Sequence, residues 1–243
     1  MNDAQIRHIG RSDVEQMSRS HVDGVNVPIP SELNEVVASQ FGDRLPLIEE
    51  YVNLLANEGI EWGLIGPRET DRLWERHIVN SLCVSSLIPK GLFVADCGSG
   101  AGLPGIVLAI ARPDLYIDLV EPMSRRCDFL SMCVSQLNLS STVNVVRSRV
   151  EDYRMTPDIL TCRALSGLST LIAMTSHLVP PSTLLAIKGA RAETELMAAK
   201  SLLITRHLKA DIIRPEVKLS STSKPILLGT VVRVTKAQTA VSS

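Results

Sequence analysis

Between Val94 and Ile110 the chain reads VADCGSGAGLPGIVLAI, and this stretch restricts the fold more than any other. An apolar run of strand length, LFVADC, stops at a glycine. Gly98, Gly100, Gly102 and Gly105 then punctuate a short loop, and an apolar run resumes behind Pro104. Strand, tight loop and helix in that order open a βαβ unit. Pro104 suits the first turn of the helix because it has no N–H to leave unbonded there. The loop is Gly98 to Leu103. Its glycines let a ligand approach the backbone closely, and the helix behind it is expected to offer N–H groups to an anionic ligand group.

Two glycine patterns overlap in this loop. Gly100, Gly102 and Gly105 spell G-x-G-x-x-G, the dinucleotide fingerprint, whereas Gly98, Gly100 and Gly102 spell G-x-G-x-G, a pattern that accompanies S-adenosylmethionine. The fingerprint should open directly at the strand end, yet Gly100 comes two residues late. Register therefore favours Gly98. Asp96 points the same way, because a carboxylate beside the loop attracts the cationic amino-acid part of S-adenosylmethionine and repels a pyrophosphate. Glu121 closes the second strand 23 residues after Gly98, where an acid can accept hydrogen bonds from both ribose hydroxyls. Both cofactors want such an acid, so Glu121 does not discriminate between them. The plain alternative is a tight turn that holds no ligand.

The rest of the chain extends the unit. From Gly91 onward, short apolar runs alternate with longer amphipathic ones: LYIDLV, MSRRCDFLSMCVSQL, VNVV, DILTCR, LIAMTSHLV, TLLAIK and a helical stretch from Arg191 to His207. That order predicts an α/β fold, a mostly parallel sheet with helices on both faces. Ala210–Val217 and Ile226–Val234 are expected to be two late strands, paired antiparallel at one edge. Ser31 to Leu87 has helical spacing throughout and reads as a cap in front of the sheet. The expected division is a flexible arm over residues 1–30 with Met17 as a possible later start, the cap over 31–88, the main domain over 89–236 and a disordered tail over 237–243.

Composition removes several classes of function. The apolar run Leu103–Ala111 is far shorter than the roughly 20 residues that cross a membrane, and the polar N-terminus lacks a secretory apolar segment, so a cytoplasmic protein is expected. Five scattered cysteines without a C-x-x-C pair indicate neither a disulfide framework nor a zinc site, and no metal is expected. A formal net charge of −1 excludes a generally basic nucleic-acid coat and leaves room for a local basic patch.

With the loop in register, further words become legible: RLWERHIVNS (72–81), DCGSGAGLPGIVLAIARPD (96–114), LVEP (119–122), SRVED (148–152), CRAL (162–165) and LLAIKG (184–189). Together they resemble the glucose-inhibited division protein B family, bacterial methyltransferases acting on guanine N7 in small-subunit (16S) ribosomal RNA. The resemblance spans about Phe41 to Val234. It implies a Rossmann-like class I S-adenosylmethionine-dependent fold with a seven-stranded sheet, S-adenosylmethionine as cofactor with S-adenosylhomocysteine as product, and ribosomal RNA or the small subunit as partner of a monomer. Carried over by position, its cofactor contacts fall on Gly98, Leu103, Val150, Glu151 and Arg163, to which the loop itself adds Gly100 beside Asp96 and Glu121. The chain departs from the family pattern at Cys97, at Cys162 and in its long N-terminal arm. Simpler roles exist for three of these residues: Val150 as core, Glu151 as a solvated acid at a helix start, Arg163 as a salt-bridge partner.

Guanine N7 is nucleophilic in the neutral base, so transfer there needs no prior loss of a proton and Arg163 is expected to position rather than to act as a base. The chain carries neither the Asp-Pro-Pro-Tyr of adenine N6 enzymes nor the Pro-Cys of cytosine C5 enzymes. RNA contacts are expected from Lys188 at a strand end and from Arg72 and Arg76, spaced with Asn80 to share one helix face, with His77 beside them. A merely solvated face, with Glu69, Asp71 and Glu75 as partners, is the alternative. Two other functions compete: a small-molecule methyltransferase or NAD-dependent oxidoreductase, and an inert RNA-binding module.

Overall fold

The computed structural model describes residues 24–219 and 224–237. Nine strands form: β1 (Phe93–Cys97), β2 (Tyr116–Val120), β3 (Val143–Val146), β4 (Ile159–Arg163), β5 (Thr183–Lys188), β6 (Leu208–Ile213), β7 (Glu216–Val217), β8 (Ile226–Leu227) and β9 (Thr230–Lys236). Seven of them make one sheet in the order β3-β2-β1-β4-β5-β9-β6, and β7 and β8 form a separate pair. The five strands from β3 to β5 run parallel, and β9 runs antiparallel to both β5 and β6.

Strand period 2 decides what faces what. In β5, Leu184 and Ala186 pack into one core, Leu185 and Ile187 into the other. In β1, Val94 packs toward the helical cap and Ala95 and Cys97 away from it, so Asp96 shares the face of Val94. In β4, Leu160 and Cys162 face away with Cys97, which puts Thr161 and Arg163 on the cap side with Asp96. Cys162 is therefore core; burial pushes its thiol up to about 12.

The cap comprises α1 (Asn34–Phe41), α2 (Leu45–Ala56) and the short α3 (Glu58–Glu61), whose buried Val36, Val37, Ile48, Val52 and Leu55 recur at helical spacing. Of the remaining helices, α4 (Gly105–Ala111) and α5 (Ser124–Gln136) pack on the cap side of the sheet, and α6 (Leu168–Met174) and α7 (Ala192–Thr205) pack on the other face.

Two expectations need correction, and one holds with shorter strands. RLWERHIVNS is not an α-helix: a 3₁₀ segment, Pro67–Arg72, runs into a π-helical turn, Leu73–Val79, in which Asn80 N–H reaches the Glu75 carbonyl. Asn80 is turned to the Leu228 carbonyl, to which it donates at 3.4 Å, while Arg72 and Arg76 stay exposed. The two late strands pair antiparallel at one edge of the sheet as expected, with β9 beside β5 and β6 outermost, but their ends Glu216–Val217 and Ile226–Leu227 pair apart from the main sheet. The arm through residue 30 divides: 1–23 lie outside the described residues, whereas Val25 and Val27 bond to Asn57 and Asn53 of the cap and Val27 also accepts from Trp74 Nε1. The expected tail lies outside the described residues except Ala237, whose N–H bonds to His207. Among the described residues no helix is long and apolar enough to cross a membrane, and no group of metal-ligating side chains gathers.

Candidate functional site

The glycine loop leaves β1 through three left-handed positions, Gly98 (φ 72°), Gly100 (φ 59°) and Gly102 (φ 98°), which an L-residue enters only at a cost. It is tied down from several sides. Gly98 and Ser99 N–H both reach the Val120 carbonyl, Tyr51 Oη donates to the Ala101 carbonyl at 2.7 Å, and Gly100 N–H donates to Glu121 Oε2 at 3.0 Å. A Cβ on Gly102 would stand 2.5 Å from Ile106 Cδ1, whereas one on Gly100 would meet nothing nearer than the Gly98 carbonyl at 3.9 Å. The loop is thus packed below and open above Gly100.

Asp96 does not present itself to that open side. It is fully buried, accepting from Gly105 N–H at 3.0 Å and from Thr161 Oγ1 at 3.3 Å. The first N–H of α4 is thereby bonded internally, and Asp96 is a clamp on the loop. Burial pushes its carboxyl up to about 6, against the hydrogen bonds from Gly105 and Thr161 and the nearby Arg163 charge.

Glu121 continues β2 and lies beside the loop. Its carboxylate accepts from Gly100 and Met123 N–H and has Arg126 at 3.6 Å. Ser148 N–H bonds to the Glu121 carbonyl, which brings the Val150–Asp152 turn to the same end of the sheet. Val150 itself is core, 3% exposed. Glu151 is exposed and lines a cavity of about 460 Å³ with Arg154 and His177, away from the glycine loop. Leu103 is buried in the cap-side core.

At the end of β4, Arg163 is half-buried and reaches across to the cap. Its Nη2 donates to the Arg76 carbonyl at 2.8 Å and to His77 Nδ1 at 3.0 Å. His77 Nε2 in turn meets Glu69 Oε2 at 3.0 Å, and Glu69 Oε1 meets Arg76 Nη1 at 3.1 Å. Burial first, and the Arg163 charge second, hold the His77 imidazolium below its ordinary pKa. Ala164 follows with φ 52°, an uncommon conformation for a residue with a Cβ, and it turns Leu165 over Gly98: a Cβ there would stand 2.6 Å from Leu165 Cδ1.

Lys188 does not stand free at its strand end. Its side chain is only 7% exposed, with Nζ 2.9 Å from Glu195 Oε2 and 2.7 Å from the Ser166 carbonyl. It braces the loop after β4, its ammonium group occupied by Glu195 and the Ser166 carbonyl. Arg72 and Arg76 remain exposed, Arg76 with Glu69 beside it.

Sequence reasoning missed Tyr51, Leu165 and Glu195, and it named Glu69 only as a partner on a solvated face. Tyr51 stands in an apolar helix as one more core residue, Leu165 meets Gly98 only through chain crossing, and Glu69 and Glu195 find cations seven or eight residues away through irregular turns that simple helical spacing does not describe. The A-L pair after Arg163 gives no local sign of a left-handed turn.

An open glycine cradle, an acid beside it and an arginine across from it converge at the carboxyl ends of β1, β2 and β4, the place where open α/β sheets bind ligands. The cradle and the acid fit an adenosine-bearing cofactor. With β9 reversed between β5 and β6, these features define a Rossmann-like methyltransferase of class I.

The comparisons with known proteins narrow the class. Residues 44–218 match the family described as rRNA small subunit methyltransferase G, or GidB. The ribosomal RNA small subunit methyltransferase G of Mycobacterium sp. (strain JLS) is 48% identical over 169 residues, covering 67% of this chain and 74% of that protein. The protein of the same description from Salinispora tropica is 46% identical over 202 residues, covering 79% and 82%. This chain belongs to the rRNA small subunit methyltransferase G family.

Proposed function

We propose that this chain transfers a methyl group from S-adenosylmethionine to N7 of a guanosine in small-subunit ribosomal RNA, as a cytoplasmic enzyme acting as a monomer. The observation that carries the reading is the convergence of the open face at Gly100, the Glu121 carboxylate and Arg163, which forms no ion pair among the described residues, at one end of the sheet.

Gly98, Gly100 and the Val150–Glu151 turn would hold the cofactor by their backbone, Glu121 by its carboxylate at the ribose, with Leu103 and Asp96 fixing the loop from beneath. S-adenosylmethionine supplies, when bound, an electrophilic methyl group on a cationic sulfur. Guanine N7 offers its lone pair without losing a proton, so the chain needs no general base. Its contribution is to orient the base, and orientation can supply roughly 7 to 11 kcal/mol of the barrier. Arg163 suits this work because its planar fork can donate to the Arg76 carbonyl and His77 while its remaining N–H groups face a ligand. Arg72 and Arg76 would meet RNA phosphates from the cap. The organisation that goes with this reading is the N-terminal arm over residues 1–30, the cap over 31–88, the methyltransferase domain over 89–236 and the tail over 237–243.

Mass-spectrometric mapping of 7-methylguanosine in ribosomal RNA, from cells with and without the gene, tests the reading; an unchanged methylation map would refute it. RNA carrying 7-deazaguanosine at the target should bind and accept no methyl, and transfer to that RNA would mean that another atom is attacked. NAD binding as tight as that of S-adenosylmethionine would favour an oxidoreductase.

A further inference from the structure

We propose that Glu69 and His77 form a positioning relay, through which the cap sets the direction in which the Arg163 guanidinium faces the methyl-transfer site. The inference rests on the role given to Arg163 above.

The hydrogen-bond chemistry runs one way only. Arginine has donors and no acceptor, so the contact from Arg163 Nη2 to His77 Nδ1 at 3.0 Å requires an unprotonated Nδ1. A neutral imidazole then carries its hydrogen on Nε2, and that hydrogen points to Glu69 Oε2 at 3.0 Å. Each neighbour selects the same tautomer, so the ring cannot flip without losing both contacts. Arg76 closes the arrangement, giving its carbonyl to Arg163 and its Nη1 to Glu69. The π-helical turn is what delivers Arg76 and His77 together to the end of β4, consistent with the placing of such turns at functional sites.

A structural arginine in a half-buried position normally meets a carboxylate, because an uncompensated charge there is costly. Arg163 instead meets a carbonyl and a neutral ring, and among the described residues its Nε and Nη1 make no hydrogen bond. Its position is therefore fixed while its charge is left for something anionic or electron-rich. The charged and titratable groups around the relay are Glu69, Arg72 and Arg76 from the cap, with Tyr51 of α2, Cys83 and Asp96 of β1 on the far side of Arg163. Protonation of His77 would remove the acceptor and place a second cation 3.0 Å from Arg163. Turnover should therefore fall on the acid side as His77 titrates.

The amide oxygen of asparagine can replace Nδ1, whereas the amide nitrogen of glutamine can replace Nε2–H. The full chain is compared as wild type, His77→Asn, His77→Gln and Glu69→Gln, with melting temperature, calorimetric affinity for S-adenosylmethionine and kcat on small-subunit ribosomal RNA across pH. His77→Gln should lose kcat by about tenfold or more, while His77→Asn stays within about threefold of wild type and lacks the acid limb. Glu69→Gln should move that limb to lower pH, because the carboxylate that favours the imidazolium is gone. Cofactor affinity should hold within about threefold throughout if only Arg163 is re-aimed. Equal losses in His77→Asn and His77→Gln that track melting temperature overturn the relay, as does an acid limb that survives in His77→Asn. Wild-type turnover in His77→Gln overturns the relay alone, whereas a wild-type chain that binds cofactor yet methylates no ribosomal RNA overturns the proposed function.

Discussion

One methyl group at Gly100 separates a ligand cradle from a mere turn. Gly100 has φ 59°, a conformation that costs an L-residue roughly 1 to 2 kcal/mol. The added Cβ would meet nothing nearer than the Gly98 carbonyl at 3.9 Å, so no steric cost comes on top. The N–H bond to Glu121 does not involve the new atom. Gly100→Ala should therefore fold and melt a few degrees below wild type, as about 1 to 2 kcal/mol implies for a chain of this length. Gly102→Ala is the control. Its Cβ would stand 2.5 Å from Ile106 Cδ1 and 2.9 Å from Tyr51 Oη, adding an overpacking cost of roughly 1 to 3 kcal/mol to its own backbone strain. Were the open side of Gly100 the cofactor's place, its methyl would stand against the ligand, and affinity should fall at least about tenfold, or about 1.4 kcal/mol. Calorimetry measures this directly, and the rise in melting temperature on adding S-adenosylmethionine should shrink in parallel. A folded Gly100→Ala chain with the expected modest loss of stability and wild-type cofactor affinity would falsify the cradle and leave a turn.

Asp96 provides a pH test. Its carboxyl is raised from 3.8 to about 6 by burial, so its contribution to stability is fully present below pH 3.8 and is lost as pH rises through about 6, on the order of 3 kcal/mol in all. Denaturant midpoints of wild type minus Asp96→Asn should show this slope between those values, and a flat difference would refute the assignment. Lys188→Met should destabilise by about 3 kcal/mol, the lower end for a broken buried pair, and leave the salt dependence of RNA binding unchanged; Arg76→Ala should flatten that dependence by about one phosphate contact with the fold intact. The reverse pattern would restore Lys188 to the RNA face. Tyr51→Phe strands the Ala101 carbonyl and should cost about 1 to 3 kcal/mol, seen in chemical denaturation together with weaker cofactor binding; unaltered binding would show that the loop needs no hold from α2.

Local spacing made the framework legible. The glycines after LFVADC, the alternation of strand-length and helix-length runs, and Glu121 closing the second strand each follow from periods of 2 and 3.6 and from turn chemistry. The sheet, the glycine loop and the place of Arg163 at a strand end were therefore within reach of the chain read alone. Other outcomes depended on distance. Asp96 and Lys188 looked like charges waiting for a ligand, yet one is consumed by Gly105 and Thr161 and the other by Glu195 and Ser166.

What the amino-acid order by itself determined is the alternation of strands and helices along the sheet, though not the 3₁₀ and π form of Pro67–Val79, because backbone geometry and hydrophobic periodicity act over a few neighbouring residues. The tertiary structure alone decided which charges remain free. Whether a carboxylate or a guanidinium finds its partner is set by residues such as Thr161, 65 positions from Asp96, or His77, 86 positions from Arg163. The cost of burying an unpaired charge then selects the pairing that the packed sheet and cap permit.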